Sequence, residues 1–143
     1  KSAKVNLKGD FKVASIFKIP FKSGEFDFIV SLDVIEHIRP SNVFNAYKEI
    51  NRVLRRGGLL VVSVPVNEGL EETVKKGHNP GGHLRVYTED LLKGELKLAG
   101  FKVSRVIYRI AFLKFYKFKT ILMKFLPFGF RVPNQMIMFA KKI

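Results

Sequence analysis

Asp33, Glu36 and His37 stand together where an apolar run stops, in "FDFIVSLDVIEHIRP", Phe26 to Pro40. Their spacing is i, i+3 and i+4, which in a helical turn puts all three side chains on one face. Two carboxylates and an imidazole meeting there could gather a divalent cation. Alternatively, Glu36 could orient His37 as a general base. A third reading is structural: Glu36 caps the helix that follows. His78, in "KKGHNPGG", reads as a loop residue.

The elements that must position these residues can be read from periodicity. "FKVASI" (Phe11–Ile16) reads as a short strand, followed by a loop around Pro20. "FDFIVSL" (Phe26–Leu32) is near-continuously apolar, as expected of an interior strand buried on both faces. Ser41 is placed to cap a helix running to about Leu54, with Val43, Phe44, Tyr47, Ile50 and Leu54 on its apolar face. "RRGG" then supplies cations and a left-handed glycine to end it. "LLVVSVP" (Leu59–Pro65) is a second buried strand, followed by a polar, glycine-rich connection through His83. Thr88 caps a second helix with Glu89 and Asp90 in its first turn, and Gly100 stops it. "FKVSRVIYRI" and "QMIMFAKKI" complete the set as strands. Strands alternating with helices specify a parallel α/β sheet.

The bulk composition fits one globular domain. The chain has 143 residues, 47% hydrophobic and 27% charged, and no cysteine. Disulfides and thiolate metal sites are thereby excluded, and an intracellular, cytoplasmic setting is favoured. No apolar run reaches the roughly 18–20 residues of a membrane span. The opening "KSAKVNLKGD" lacks a signal-peptide core, and with no initiator Met the expectation is a piece of a longer product. The formal charge is +14 and one-sided. No acidic residue follows Glu95, while Lys102, Arg105, Arg109, Lys114, Lys117, Lys119, Lys124, Arg131, Lys141 and Lys142 do. Such a field suits an anionic partner.

Three motifs in order, "IPFKSGEFDFIVSLDVIEHI", "YKEINRVLRRGGLLVVSVP" and "GHLRVYTEDLLKGELKLAGF", resemble the class I S-adenosylmethionine-dependent methyltransferases. The resemblance implies a Rossmann-like α/β fold, mostly parallel, with an antiparallel last strand. It places the ligand beyond the carboxyl ends of the strands, as in other open α/β sheets. Residues 1–143 would then be the C-terminal part of such a domain. The family's glycine-rich loop, and the acidic residue that holds the ribose, have no counterpart here. Ser15 stands where the family usually has Asp against the adenine amino group; its hydroxyl can accept that bond, less strongly than a carboxylate.

By the same resemblance Ser15 and Ile16 would touch adenine, and Leu32 and Asp33 would lie by the methionine part of S-adenosylmethionine. Magnesium-dependent members show D/E-x-x-E-H and a later His. Those positions fall on Asp33, Glu36, His37 and His83, the proposed Mg²⁺ ligands, with Glu36, His37 and His83 also the catalytic set. Metal-free relatives carry the same dipeptide, with His37 as base. The acceptor implied is a small molecule with a hydroxyl or similar nucleophile.

Residues 110–130 form a basic, aromatic insert between the last two strands. Lys114, Lys117 and Lys124 fall fairly close on one side of a helix opposite Phe and Leu, which suits a peripheral membrane contact and a lipid-like acceptor. Packing on the sheet, and, less well, nucleic-acid binding, are the other readings. An exposed sheet edge would favour a homodimer that hides it. The alternative to an enzyme is a non-catalytic basic interaction module that keeps the fold without the cofactor.

Overall fold

The computed structural model describes Gly9 and residues 11–67, 82–110 and 132–143. The insert at 110–130, apart from Ile110, and His78 lie outside them. In chain order the elements are β1 (Phe26–Leu32), a 3₁₀ turn (Ile35–His37), a second (Pro40–Asn42), α1 (Val43–Val53), β2 (Leu54–Pro65), α2 (Glu89–Leu98), β3 (Phe101–Arg109) and β4 (Gln135–Lys142).

The four strands form one sheet in the order β1-β2-β4-β3. β1 and β2 are parallel, and β4 runs antiparallel to both β2 and β3. The antiparallel last strand is the arrangement expected from the sequence. α1 and α2 cover one face of the sheet. Ala46, Tyr47 and Ile50 of α1 and Leu92 and Leu96 of α2 share a buried cluster with Leu60, Val62, Val64, Met136, Met138 and Ala140. Leu92 and Leu96 are fully buried, each worth about 1.5–3 kcal/mol of transfer free energy.

Four expectations need correction. Residues 11–16 form no strand: among the described residues nothing pairs with 11–14, Phe11 and Val13 are exposed, and Ser15 bridges to Lys18 in a turn. β1 is not buried on both faces. It is the edge of the described sheet, and Phe28, Val30 and Leu32 are half-exposed on the face away from the helices. Ser41 does not cap α1, because a 3₁₀ turn intervenes and Asn42 takes the cap position without a side-chain bond. Finally, "RRGG" is not a helix cap. Leu54 is already extended, and the pairing jumps from Phe26↔Leu54 to Phe28↔Leu59, so residues 55–58 bulge out of β2.

The end of α1 is satisfied from elsewhere. Gly24 N–H donates to the Arg52 carbonyl, and Lys142 Nζ donates to the carbonyls of Asn51 and Leu54. α2 follows expectation: the Thr88 hydroxyl accepts from Leu91 N–H, and Gly100 adopts φ +84° just past the end. Among the described residues no helix is long and apolar enough to cross a membrane.

Candidate active site

Strand tips from different parts of the chain meet at one end of the sheet. Asp33 follows β1 in a left-handed conformation, φ 52°, uncommon for a residue with a side chain and typical of sites where local strain is retained. Its carboxylate explains how it is held. Ser63 Oγ of β2 donates to Oδ1 at 2.7 Å, and Gln135 Nε2 of β4 donates to Oδ1 and Oδ2 at 3.1 and 3.0 Å. Asp33 N–H donates to Ser63 in return. Because β4 is antiparallel, its first residue reaches the end where β1 and β2 finish, with Pro65 opposite Gln135.

The 3₁₀ turn after Asp33 carries Glu36 and His37. Glu36 is wholly buried, and among the described residues neither carboxylate oxygen has a hydrogen-bond partner. It therefore does not cap α1. Burial pushes its pKa up and the nearby Asp33 charge adds to this, while its own backbone amide and His37 and His83 pull the other way. An unpartnered buried carboxylate is costly.

His37 lies beside it, with Nε2 3.8 Å from Glu36 Oε1. His37 Nδ1 is 3.3 Å from the Gly82 carbonyl. A carbonyl only accepts, so this contact requires the proton on Nδ1 and, in a ring carrying one proton, leaves the lone pair on Nε2. Across the site the His83 ring meets His37 edge-on, with centroids 4.9 Å apart and planes at 64°. Leu84 N–H donates to the Glu36 carbonyl at 2.9 Å and fastens the His83 segment to the 3₁₀ turn.

One ligand atom from each of Glu36, His37 and His83 lies within 4.8 Å of the others. Metal bonds of about 2.0–2.2 Å place opposed ligands up to about 4.4 Å apart, so modest closure would let all three bind one divalent ion. The fit is chemical as well, since an orphaned carboxylate and an imidazole lone pair both face inward. Asp33, named with them from sequence, lies outside this trio with its carboxylate committed to Ser63 and Gln135.

The residues assigned to adenine sit on a separate turn. Ser15 Oγ accepts from Phe17 N–H at 3.2 Å, and Ile16 packs against the core. α1 holds that turn. Glu49 accepts from Ile19 N–H, while Arg52 donates to the carbonyls of Ile19 and Phe21 and to Glu49 itself. Leu32 is 54% exposed at the tip of β1, available to a ligand.

Sequence reasoning missed Ser63, Gln135 and the buried pair Arg85–Glu95. The signals were faint but present. Ser63 is the one polar residue in "LLVVSVP", and Glu95 falls on the same helical face as Leu92 and Leu96.

A family profile described as a methyltransferase domain matches residues 1–62. An uncharacterized protein of Methanocaldococcus jannaschii is 29% identical over 106 residues, covering 69% of this chain and 43% of that protein. A Burkholderia thailandensis 1,6-didemethyltoxoflavin-N1-methyltransferase, solved with 1,6-didemethyltoxoflavin and S-adenosylhomocysteine, superposes with TM-score 0.62 at 17% identity. That match covers 90% of this chain and 48% of the enzyme. A S-adenosylmethionine-dependent methyltransferase of Methanosarcina mazei gives TM-score 0.66 at 16% identity, over 95% and 68% of the two chains. The chain thus spans less than half the length of the first two of these proteins.

Proposed function

From a chain whose fold is that of the class I S-adenosylmethionine-dependent methyltransferases, we propose a role in methyl transfer to a hydroxyl or similar nucleophile of a small molecule. The observation that carries this reading is the buried, unpartnered Glu36 carboxylate, flanked by His37 and His83 at the strand tips. Perturbed, desolvated groups gathered at one cleft are characteristic of reaction sites.

S-adenosylmethionine is the cofactor the fold implies, and when bound it supplies an electrophilic sulfonium methyl group. Ser15 and Ile16 would contact its adenine, and Leu32 and Asp33 its methionine side. The fit rests on a hydroxyl that can accept, an exposed apolar tip at Leu32, and a carboxylate already fixed by Ser63 and Gln135.

His37 takes the acceptor's hydroxyl proton on Nε2, the nitrogen left unprotonated by the Gly82 contact. Glu36, 3.8 Å away, stabilises the imidazolium that results. His83 closes the other side of the acceptor pocket.

A second reading is favoured by the three converging ligand atoms: Glu36, His37 and His83 hold Mg²⁺ or a similar divalent ion that lowers the acceptor's pKa. Residues 110–130, rich in Lys and Phe, support a lipid-like acceptor at a membrane surface. The apolar edge strand β1, unpaired on one side among the described residues, supports a second copy or further sheet strands as its cover.

Titration calorimetry of the full-length gene product with S-adenosylhomocysteine tests the proposal. Binding followed by methyl transfer to hydroxylated acceptors is the expected result. Absence of binding removes it in favour of a non-catalytic basic module.

A further inference from the structure

We propose that the buried Arg85–Glu95 pair is a positioning device for His83, acting with Tyr47 and Tyr87; this rests on the methyl-transfer reading above.

The segment from Gly82 to Thr88 alternates in burial. Leu84 and Val86 are about half-exposed, whereas His83, Arg85 and Tyr87 turn inward. A period of two marks an extended stretch whose inward side chains stand in a row. His83 is the first of that row and faces His37, while the other two are anchored deeper.

The anchoring is dense. The Arg85 guanidinium pairs with Glu95 of α2 and donates to the Tyr87 hydroxyl at 2.7 Å. Glu95 Oε2 also accepts from Tyr47 OH of α1 and Tyr87 OH, both at 3.2 Å. Arg85 and Glu95 are 9% and 7% exposed. Three side chains, Tyr47 of α1 and Arg85 and Tyr87 of the His83 segment, therefore close on the one Glu95 carboxylate of α2 in the core. The Leu84–Glu36 backbone bond fixes the same segment one residue away.

Stability alone does not account for such a pair. Removing two charges from water offsets most of their attraction, and apolar residues of equal volume commonly serve as well. What apolar packing does not supply is direction. A guanidinium bonded to a carboxylate and a phenol holds one orientation, and His83 lies two residues from it.

The test uses the full-length gene product with isotope-labelled histidine. The chain holds three histidines, so the His37 and His83 signals are assigned by single substitution. A cross-peak between their rings is expected in the unaltered protein and in Lys93→Gln, which breaks an ion pair on the same helix facing away from the segment. In Glu95→Gln that cross-peak disappears while the remaining core contacts persist. The methyl-transfer kcat falls about a hundredfold with cofactor affinity unchanged, the scale of a misplacement near 1 Å.

Retention of the cross-peak in folded Glu95→Gln overturns the proposal, as does its absence from the unaltered protein. Should Glu95→Gln fail to fold, Tyr87→Phe, which keeps the ring and deletes one hydroxyl, decides instead. A weakened cross-peak supports the proposal and an unchanged one overturns it. If the protein does not bind S-adenosylhomocysteine, the functional reading fails while the ring contact still decides the positioning role.

Discussion

The rings of His37 and His83 meet edge-on, 4.9 Å between centroids, beside the buried Glu36 carboxylate, which has no hydrogen-bond partner among the described residues. Either imidazole should therefore matter to the reaction far more than to the fold. Replacing His37 by alanine is expected to lower methyl transfer by about 10²–10⁴-fold, the usual contribution of a positioned base, with little change in melting temperature. His83→Ala should act in the same direction. If the three ligands bind a cation, excess chelator abolishes turnover and Mg²⁺ restores it. Full turnover in chelator leaves His37 acting unaided.

Glu36 carries an unusual signature for a wholly buried residue. Its charge is desolvated and unbonded, so Glu36→Gln should raise stability, by roughly 1 kcal/mol or about 2–4 °C in a chain of this size. The same change should cost activity. A thermal melt beside a turnover assay checks both, and a destabilised variant would mean that the carboxylate serves packing instead.

Acid should loosen the turn that carries Ser15. Hydrogen bonds from Arg52, and then from Ile19 N–H, lower the Glu49 pKa to about 2 from the ordinary 4.5. A carboxylate with a depressed folded pKa stabilises the native state above its unfolded value, and that stabilisation is lost as pH falls through the folded value. Glu49→Gln should therefore diverge from the unaltered protein above pH 4.5 and converge with it toward pH 2. Melting curves across that window provide the check.

Two glycines should respond oppositely to alanine. A Cβ on Gly58 would lie 2.9 Å from the Arg55 carbonyl oxygen and 2.8 Å from Leu54 Cγ, inside the bulge of β2. Gly58→Ala should cost about 1–3 kcal/mol. Gly94 sits mid-helix in α2 with open space around it, so Gly94→Ala should gain about 0.5–1 kcal/mol. Denaturant unfolding of both variants measures the contrast.

For the segment at 110–130, co-sedimentation with anionic liposomes is expected to fall when Lys114 and Lys117 become glutamine. Indifference to both changes discards the membrane contact.

Periodicity located β2, β3, β4 and both helices, because each has an apolar face that must be buried whatever the fold. It failed where the answer depended on neighbours. The run Phe11–Ile16 has the composition of a strand but no strand to pair with among the described residues. "RRGG" has the composition of a helix stop, yet the chain had already turned into β2 at Leu54. At the site, adjacency in sequence grouped Asp33 with Glu36 and His37. The structure groups Asp33 with Ser63 and Gln135 instead, and keeps His83, which the resemblance had already joined to Glu36 and His37, beside that pair. Those partners are set by strand order, which no local pattern encodes.

β2 and β3 are joined only through the strand between them, and that strand is the last of the four to be synthesised. On a growing chain, β1, α1 and β2 can assemble early and α2 can pack on α1, but β3 has no sheet partner until residues 135–142 slide into the gap. Completion is thus a late, long-range event, a class of contact that forms slowly. A lesion in those eight residues would split the sheet, leaving β3 tied to the rest through α2 and its contacts with α1.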